Sequence, residues 1–474
     1  MILVKNVKKL KILIMKNIKY LFLLLIVSFF SGCSDQKVKI GDENFEKALI
    51  NNKLDDKLDG ILIIDENITS KTDTLNISGS NIKSIEGIEY FISLKKLDCS
   101  NNDISSINVS KNTNLEELNC SNNNINSIDL NKNLQLKRLY VHNNQKGRPN
   151  YPPTHPKFRE FRNKKSDNFQ LNISNNINLE ELNCSSNLIS SLDVSKNIDL
   201  VELNCSNNKL SSINLSNNSK LERLYCSSNY NYINLKLRPE YKTGGPKYVP
   251  EYIPLKLDVS SNINLKELYC SLCFLTSLDV SKNSNLENLV CSQNQMILLD
   301  VSNNHKLKRL RSEENNLSTL DVSHNPLLEK LFCYRNQLTS LDVSYNSYLK
   351  NLYCSDNQLI TLDFSPTSEL ETIACNNNRL TDIDISRISN LKELYCSSNE
   401  LKFLDVFQNY NLETLKCDNN VPYYPELHEF VAINRNKVKP IESSNDFEDI
   451  KTCLYWLIGL LLFLIISKII KNLK

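Results

Sequence analysis

LKNLYCSDNQLITLDFS, residues 349–365, sets one cysteine among leucines and asparagines. The same cysteine stands 21 residues earlier at Cys333 and 21 residues later at Cys375. Followed outward, the series becomes Cys99, Cys120, Cys184, Cys205, Cys226, Cys270, Cys291, Cys333, Cys354, Cys375, Cys396 and Cys417, with Val141 and Ser312 on two further rungs. The unit reads L-x-x-L-x-C-x-x-N-x-L-x-x-L-D-V-S-x-N-x-x. It is plain in LEELNCSNNNINSIDLNKN (115–133) and again in LFCYRNQLTSLDVSYN (331–346). One such unit cannot bury its apolar side alone, so the repetition predicts a stack with a shared core.

Within a unit, Leu118 and Cys120 lie two residues apart and face inward on an extended segment. Cysteine is compact and among the most buried residue types, which suits an inward slot of limited size. Thiols on neighbouring rungs would sit about 4.8 Å apart, near disulfide reach, but with parallel Cβ vectors where a bridge needs convergent ones. The spacing therefore predicts a reduced ladder. Three residues after each rung comes asparagine, from Asn102 and Asn123 to Asn399 and Asn420. Its side chain is suited to the backbone N–H and C=O groups where the chain leaves the strand. Cys273 takes this place once, which explains Cys270-x-x-Cys273 without a metal: no second C-x-x-C exists to complete a zinc set.

The unit resembles a leucine-rich repeat with cysteine in place of the last strand leucine, and more narrowly the cysteine-ladder repeats of internalin-like bacterial surface proteins. The resemblance covers residues 75–420. It implies an α/β-type leucine-rich repeat solenoid: a parallel β-sheet on one face, mostly irregular return segments, about sixteen rungs, and a monomer that binds a partner. Residues 34–74 depart from the unit. There Phe45, Ala48 and Leu49 at helical spacing, after Asp42 or Asn44 as N-cap, predict a short N-terminal helical cap over the open first rung.

Both ends point to a membrane. Six lysines from Lys5 to Lys19 precede an apolar run from Tyr20 to Phe30 and then Ser31-Gly32-Cys33, the pattern of an export signal over residues 1–33. Phe30-Ser31-Gly32-Cys33 resembles the lipobox of bacterial lipoproteins, with Phe30 where that family has leucine. This makes Cys33 a lipidation candidate, ordinary cleavage being the alternative. Residues 421–451 read as a C-terminal cap and linker. CLYWLIGLLLFLIIS, from Cys453, reads as the core of a transmembrane helix over 452–470, followed by a Lys-rich cytoplasmic tail at 471–474. The expected location is the bacterial cell envelope or surface, with the repeats outside the cytoplasm.

Net charge is +2 from 56 basic and 54 acidic residues, so no global field favours nucleic acid. The nine glycines form no phosphate-binding run and the five histidines no paired-ligand spacing. No enzyme, cofactor or metal is expected. The candidate ligand-binding face is the outward side of the strands, where Tyr140, Tyr225, Tyr269, Phe332, Tyr353 and Tyr395 precede the rung position, joined by Arg138, Arg223, Arg309 and Arg311. Tyrosine and arginine are enriched at interaction hot spots; cross-strand packing is the competing reading. The partner class is a protein or a glycan. On another side, Asp258, Asp279, Asp300, Asp321, Asp342, Asp363, Asp384 and Asp405 recur. They are expected to cap local N–H groups, with calcium bridging as the alternative. Two stretches break the unit, near 145–168 and 230–256, and share R-P-x-Y-x4-P-K-aromatic at 148–158 and 238–248. Each is read as a degenerate rung that keeps its strand and bulges on its return half.

Overall fold

The computed structural model describes residues 36–144, 169–229, 231–237, 248–366, 368–402, 404–418 and 420. The chain winds into a solenoid. Fifteen three-residue strands, from Thr74–Asn76 to Thr414–Lys416, pair in parallel and strictly in register into one sheet. Each strand turns its middle residue inward, a leucine in all but Thr372–Ala374, which has Ile373, and the rung residue, a cysteine in most units, follows it into the core. Return segments are largely irregular. Short parallel pairs appear only locally, as between Ser340–Val343 and Thr361–Phe364.

Two columns of asparagine hold the turns. In the first, the amide of Asn123 donates to the carbonyls of Cys99 (3.0 Å) and Cys120 (3.2 Å), and its oxygen accepts from Ile104 N–H (3.0 Å). One side chain thus ties two neighbouring rungs together. The turn before it places the residue two after each rung position in the left-handed region: Asn122 at φ 55°, Arg335 at 54°, Asp356 at 56°. Asparagine and aspartate tolerate that conformation best among residues with a Cβ. The second column, Asn112, Asn133, Asn176 and onward to Asn409, was not anticipated from the sequence. Asn304 is typical: it donates to Val280 O (3.1 Å) and Asn283 O (2.9 Å), while its buried oxygen has no hydrogen-bond partner.

The predicted cap helix is present as Glu43–Asn51. Asp42 is its N-cap, accepting from Asn44 N–H (2.9 Å) and Phe45 N–H (3.1 Å) with one oxygen. The other oxygen accepts from Lys83 N–H (2.7 Å) and Ser84 N–H (3.0 Å), so the same carboxylate joins cap to array. Phe45, Ala48 and Leu49 are buried. The cap also has an antiparallel pair, Gln36–Lys39 with Ile61–Ile64, that the helical reading of this region missed. Gly87 lies beneath it at φ 107°, where a Cβ would come within 2.8 Å of Ile40.

Neither broken stretch adds a strand to the described sheet, which has fifteen strands and corrects the expected count of about sixteen rungs. Arg138–Tyr140 pairs directly with Glu181–Asn183, and Arg223–Tyr225 directly with Glu267–Tyr269. The extra residues leave between Asn144 and Phe169 and between Asn229 and Leu255. Phe169 and Leu255 then take the inward place that Ile125 fills in a regular rung. Excision of a surplus from an intact ladder costs less than carrying a strand that lacks its leucines, because the core column stays continuous. Three strand steps, about 14 Å, therefore separate the two departure points, where four were expected. The second surplus forms a hairpin, Asn231–Leu237 against Tyr248–Ile253. The shared R-P-x-Y motif falls almost wholly outside the described residues, as do Cys33, the signal segment, residues 421–451 and the apolar segment from Cys453. Among the described residues no helix is long and apolar enough to cross a membrane.

Candidate binding face

All thirteen cysteines among the described residues are free thiols, and the rung thiols from Cys99 to Cys396 are fully buried. Burial pushes the Cys120 and Cys184 thiols up to about 12, so they remain protonated and chemically quiet at neutral pH. The ladder is core. Among the described residues no three His, Cys, Asp or Glu side chains come together as a metal set. The aspartate column caps backbone as expected: Asp258, Asp279, Asp300 and Asp321 each accept from the N–H two residues on, at 2.9 Å. These bonds hold the Asp279 and Asp258 carboxyls below their ordinary range.

The ten outward residues of the candidate face lie on one strip, because parallel in-register pairing stacks equivalent positions. Its two halves differ. In the first half the charges are matched in place. Arg138 donates to Glu117 Oε2 at 3.1 and 2.9 Å, and Arg223 to Glu202 at 2.7 Å. Tyr140 donates to Glu181 (2.6 Å) and Tyr225 to Glu267 (3.0 Å). Burial, together with these carboxylates, pushes both phenols well above their ordinary range. The direct pairing across the second surplus also brings Tyr225 and Tyr269 together, ring centres 4.9 Å apart. Counted along the chain the two had looked too distant to pack, so cross-strand packing accounts for more of the tyrosines than the sequence suggested.

The second half centres on Phe332 and Tyr353, stacked at 4.8 Å with their planes 3° apart. Arg311 lies over the Phe332 ring at 4.9 Å and donates to the buried Glu313 at 2.9 and 2.6 Å. Burial raises the Glu313 carboxyl despite the guanidinium beside it. Arg309 lies 5.8 Å from the same ring, and its Nε is buried without an acceptor. Lys330 is its neighbour on the next strand. Among the described residues neither cation has a carboxylate partner. Tyr395 lies two strands beyond Tyr353, with Ala374 between and Lys416 5.9 Å over its ring. A column of inter-rung pairs along the strand edge, such as Lys308–Glu287 (2.8 Å) and Lys392–Glu371 (2.7 Å), had not been singled out from the sequence. Exposed pairs of this kind contribute little to stability.

No protein-family model and no curated protein matches the chain. Solved structures do. The functional domain of InlJ from Listeria monocytogenes, which includes a cysteine ladder, is 26% identical with TM-score 0.56; the match covers 81% of this chain and 76% of that one. A leucine-rich repeat protein of Leptospira interrogans matches at 21% identity and TM-score 0.57, over 79% and 96% of the two chains. The Listeria monocytogenes internalin InlF matches at 19% and 0.57, over 79% and 95%. The fold and the presence of a cysteine ladder agree with these structures, and the chain is a leucine-rich repeat solenoid with a cysteine ladder, similar in architecture to InlJ.

Proposed function

We propose that this chain is a non-enzymatic binding protein of the bacterial cell envelope that docks a protein partner through the outward face of its sheet. The observation that carries the reading is the contrast between the two halves of that face. Arg138 and Arg223 are neutralised by Glu117 and Glu202, whereas Arg309 and Lys330 are left unmatched beside a stacked aromatic pair. An uncompensated guanidinium half out of water favours an incoming carboxylate, and the aromatic rings supply apolar area at small entropic cost. The partner accordingly presents an acidic side chain to Arg309 and Lys330 and an apolar one to Phe332 and Tyr353. A glycan is the other partner class, and it would draw on the rings more than on the cations.

Location is part of the proposal. The Lys-rich start, Cys33 as lipid attachment site and the apolar segment near the C-terminus together support an exported, membrane-anchored chain with its repeats outside the cytoplasm. Within that setting an adhesin and an envelope scaffold differ in accessibility. Protease shaving of intact cells removes an adhesin and spares a periplasmic scaffold. For the face itself, Arg309→Glu with Lys330→Glu reverses both free charges without touching the core. The expected result is loss of partner capture by the full chain with an unchanged melting temperature. Undiminished capture by this double variant would refute the charged half of the face as the docking site. Loss in Tyr353→Ala alone would then point to the glycan reading.

A further inference from the structure

The N-terminal cap is apolar on both sides of its second strand. A strand with one solvated face alternates apolar and polar residues, but this one reads Ile61-Leu62-Ile63-Ile64. Leu62 and Ile64 turn inward and join the shared core. Ile61 and Ile63 turn outward, 38% and 42% exposed, and Leu58 in the loop before them is 49% exposed. Across the antiparallel pair Lys39 stands directly opposite Ile61 and Lys37 directly opposite Ile63, and both lysines are exposed. Among the described residues neither lysine has an ion-pair partner. The cap's carboxylates are turned elsewhere. Asp42, Glu46 and Asp59 accept from backbone N–H groups, and Glu43 pairs with Lys47. The outer face of the ribbon is thus two isoleucines between two free ammonium groups.

We propose that this face, Lys37, Lys39, Ile61 and Ile63 with Leu58, lies on an anionic lipid surface. The inference rests on the lipid attachment at Cys33 proposed for this chain. Only Ser34 and Asp35 separate Cys33 from Gln36, a reach of at most about 11 Å. The polar layer of a bilayer is roughly 5–8 Å deep on each side, so a lipid on Cys33 starts the first strand within the headgroups or just above them. There the isoleucines and Leu58 meet the acyl boundary, while the lysine stems lie along them and the ammonium groups reach lipid phosphates. The outward side of two four-residue strands spans roughly 13 by 10 Å. That is far below the about 800 Å² per partner of a standard protein interface. A tethered chain meets its own membrane at high effective concentration, so a contact of this size suffices for lipid.

The test reconstitutes the full chain, isolated from bacterial membranes, in vesicles of phosphatidylcholine and phosphatidylglycerol. Ile63→Trp is placed in a Trp456→Phe background, so that the chain holds a single indole, on the face in question. Its fluorescence should be quenched by lipids brominated in the acyl chains. Lys37→Glu with Lys39→Glu leaves the core untouched and should abolish the quenching, since two lysines near an anionic surface strengthen contact roughly 25-fold. Vesicles of phosphatidylcholine alone should weaken it. In the unsubstituted chain, Lys37 and Lys39 should resist acetylation by a water-soluble reagent in the anionic vesicles and react in detergent. Mass spectrometry of the Cys33 peptide reads the attachment separately. A lipidated chain whose indole stays in water and whose two lysines react equally in both media would overturn the docking, leave the attachment standing and assign the face to a protein. A chain without lipid on Cys33 would remove both.

Discussion

Asn294 and Asn304 are both buried, ten residues apart, and both donate to backbone carbonyls, yet their replacement by alanine should cost very different amounts. Asn294 accepts from Cys273 N–H and Leu275 N–H, each at 3.0 Å, and donates to Cys270 O at 3.0 Å. None of these three backbone groups makes another hydrogen bond. Asn294→Ala therefore orphans two donors and one acceptor, at roughly 1–3 kcal/mol apiece before water or relaxation recovers part of it, or about 3–6 kcal/mol in all. Asn304 donates to Val280 O and Asn283 O, but these keep Asn283 N–H and Leu286 N–H, each at 3.0 Å. Its own oxygen has no partner to lose. Asn304→Ala removes two bonds worth about 0.5–1.5 kcal/mol each and also removes a buried orphan, for a net of about 0–2 kcal/mol. The difference should be about 1–6 kcal/mol, with about 3–4 kcal/mol between the centres of the two ranges. Urea unfolding followed by far-UV circular dichroism reads the totals, and hydrogen exchange at the Cys273 and Leu275 amides reads the local effect. Equal losses in the two variants would refute the reasoning and would mean that the second column's oxygens are satisfied by internal water.

Two further outcomes are expected. Removing residues 146–168, so that Gln145 links Asn144 to Phe169, should leave the melting temperature within a few degrees, because the strands on either side already pair; a large drop by differential scanning calorimetry would restore a structural rung to that stretch. Glu313 should make stability fall as pH rises. Burial raises its folded-state pKa above 4.5, so the native chain holds the proton more firmly than the unfolded chain, and the advantage present below 4.5 disappears as pH climbs through the raised value. Urea midpoints measured from pH 4.5 upward should therefore differ in slope between the parent and Glu313→Gln, and parallel curves would contradict this.

The repeating part of the molecule was readable because its signal is redundant. Leu118 and Cys120 alone would fit many folds, but the same pair recurring at 21 residues fixes period, inward side and strand direction together. What escaped notice lacked that redundancy or looked ordinary. The second asparagine column was part of the written unit, yet an asparagine in a polar turn reads as solvent-facing; only the packing shows that Asn112 and Asn133 are buried. Phe158-x-x-Phe161 imitated a strand, and length arithmetic favoured an extra rung. The pairing of Arg138 with Glu181 depends on register across the break, which no local pattern encodes. The same error hid the Tyr225–Tyr269 contact. The candidate face was legible as a set of residues but not as two halves, since whether Arg309 is matched depends on Asn288 and Lys330 one strand away in either direction.

The strands' hydrogen bonds run along the long axis of the stack, and each rung offers only a three-residue segment to the next. Tension applied between the two ends thus loads one small set of bonds after another in series, never all of them in shear. Such a body yields by peeling away one coil at a time at low force, lengthening greatly before the whole is lost, so a load that would snap a sandwich of long strands is absorbed as extension.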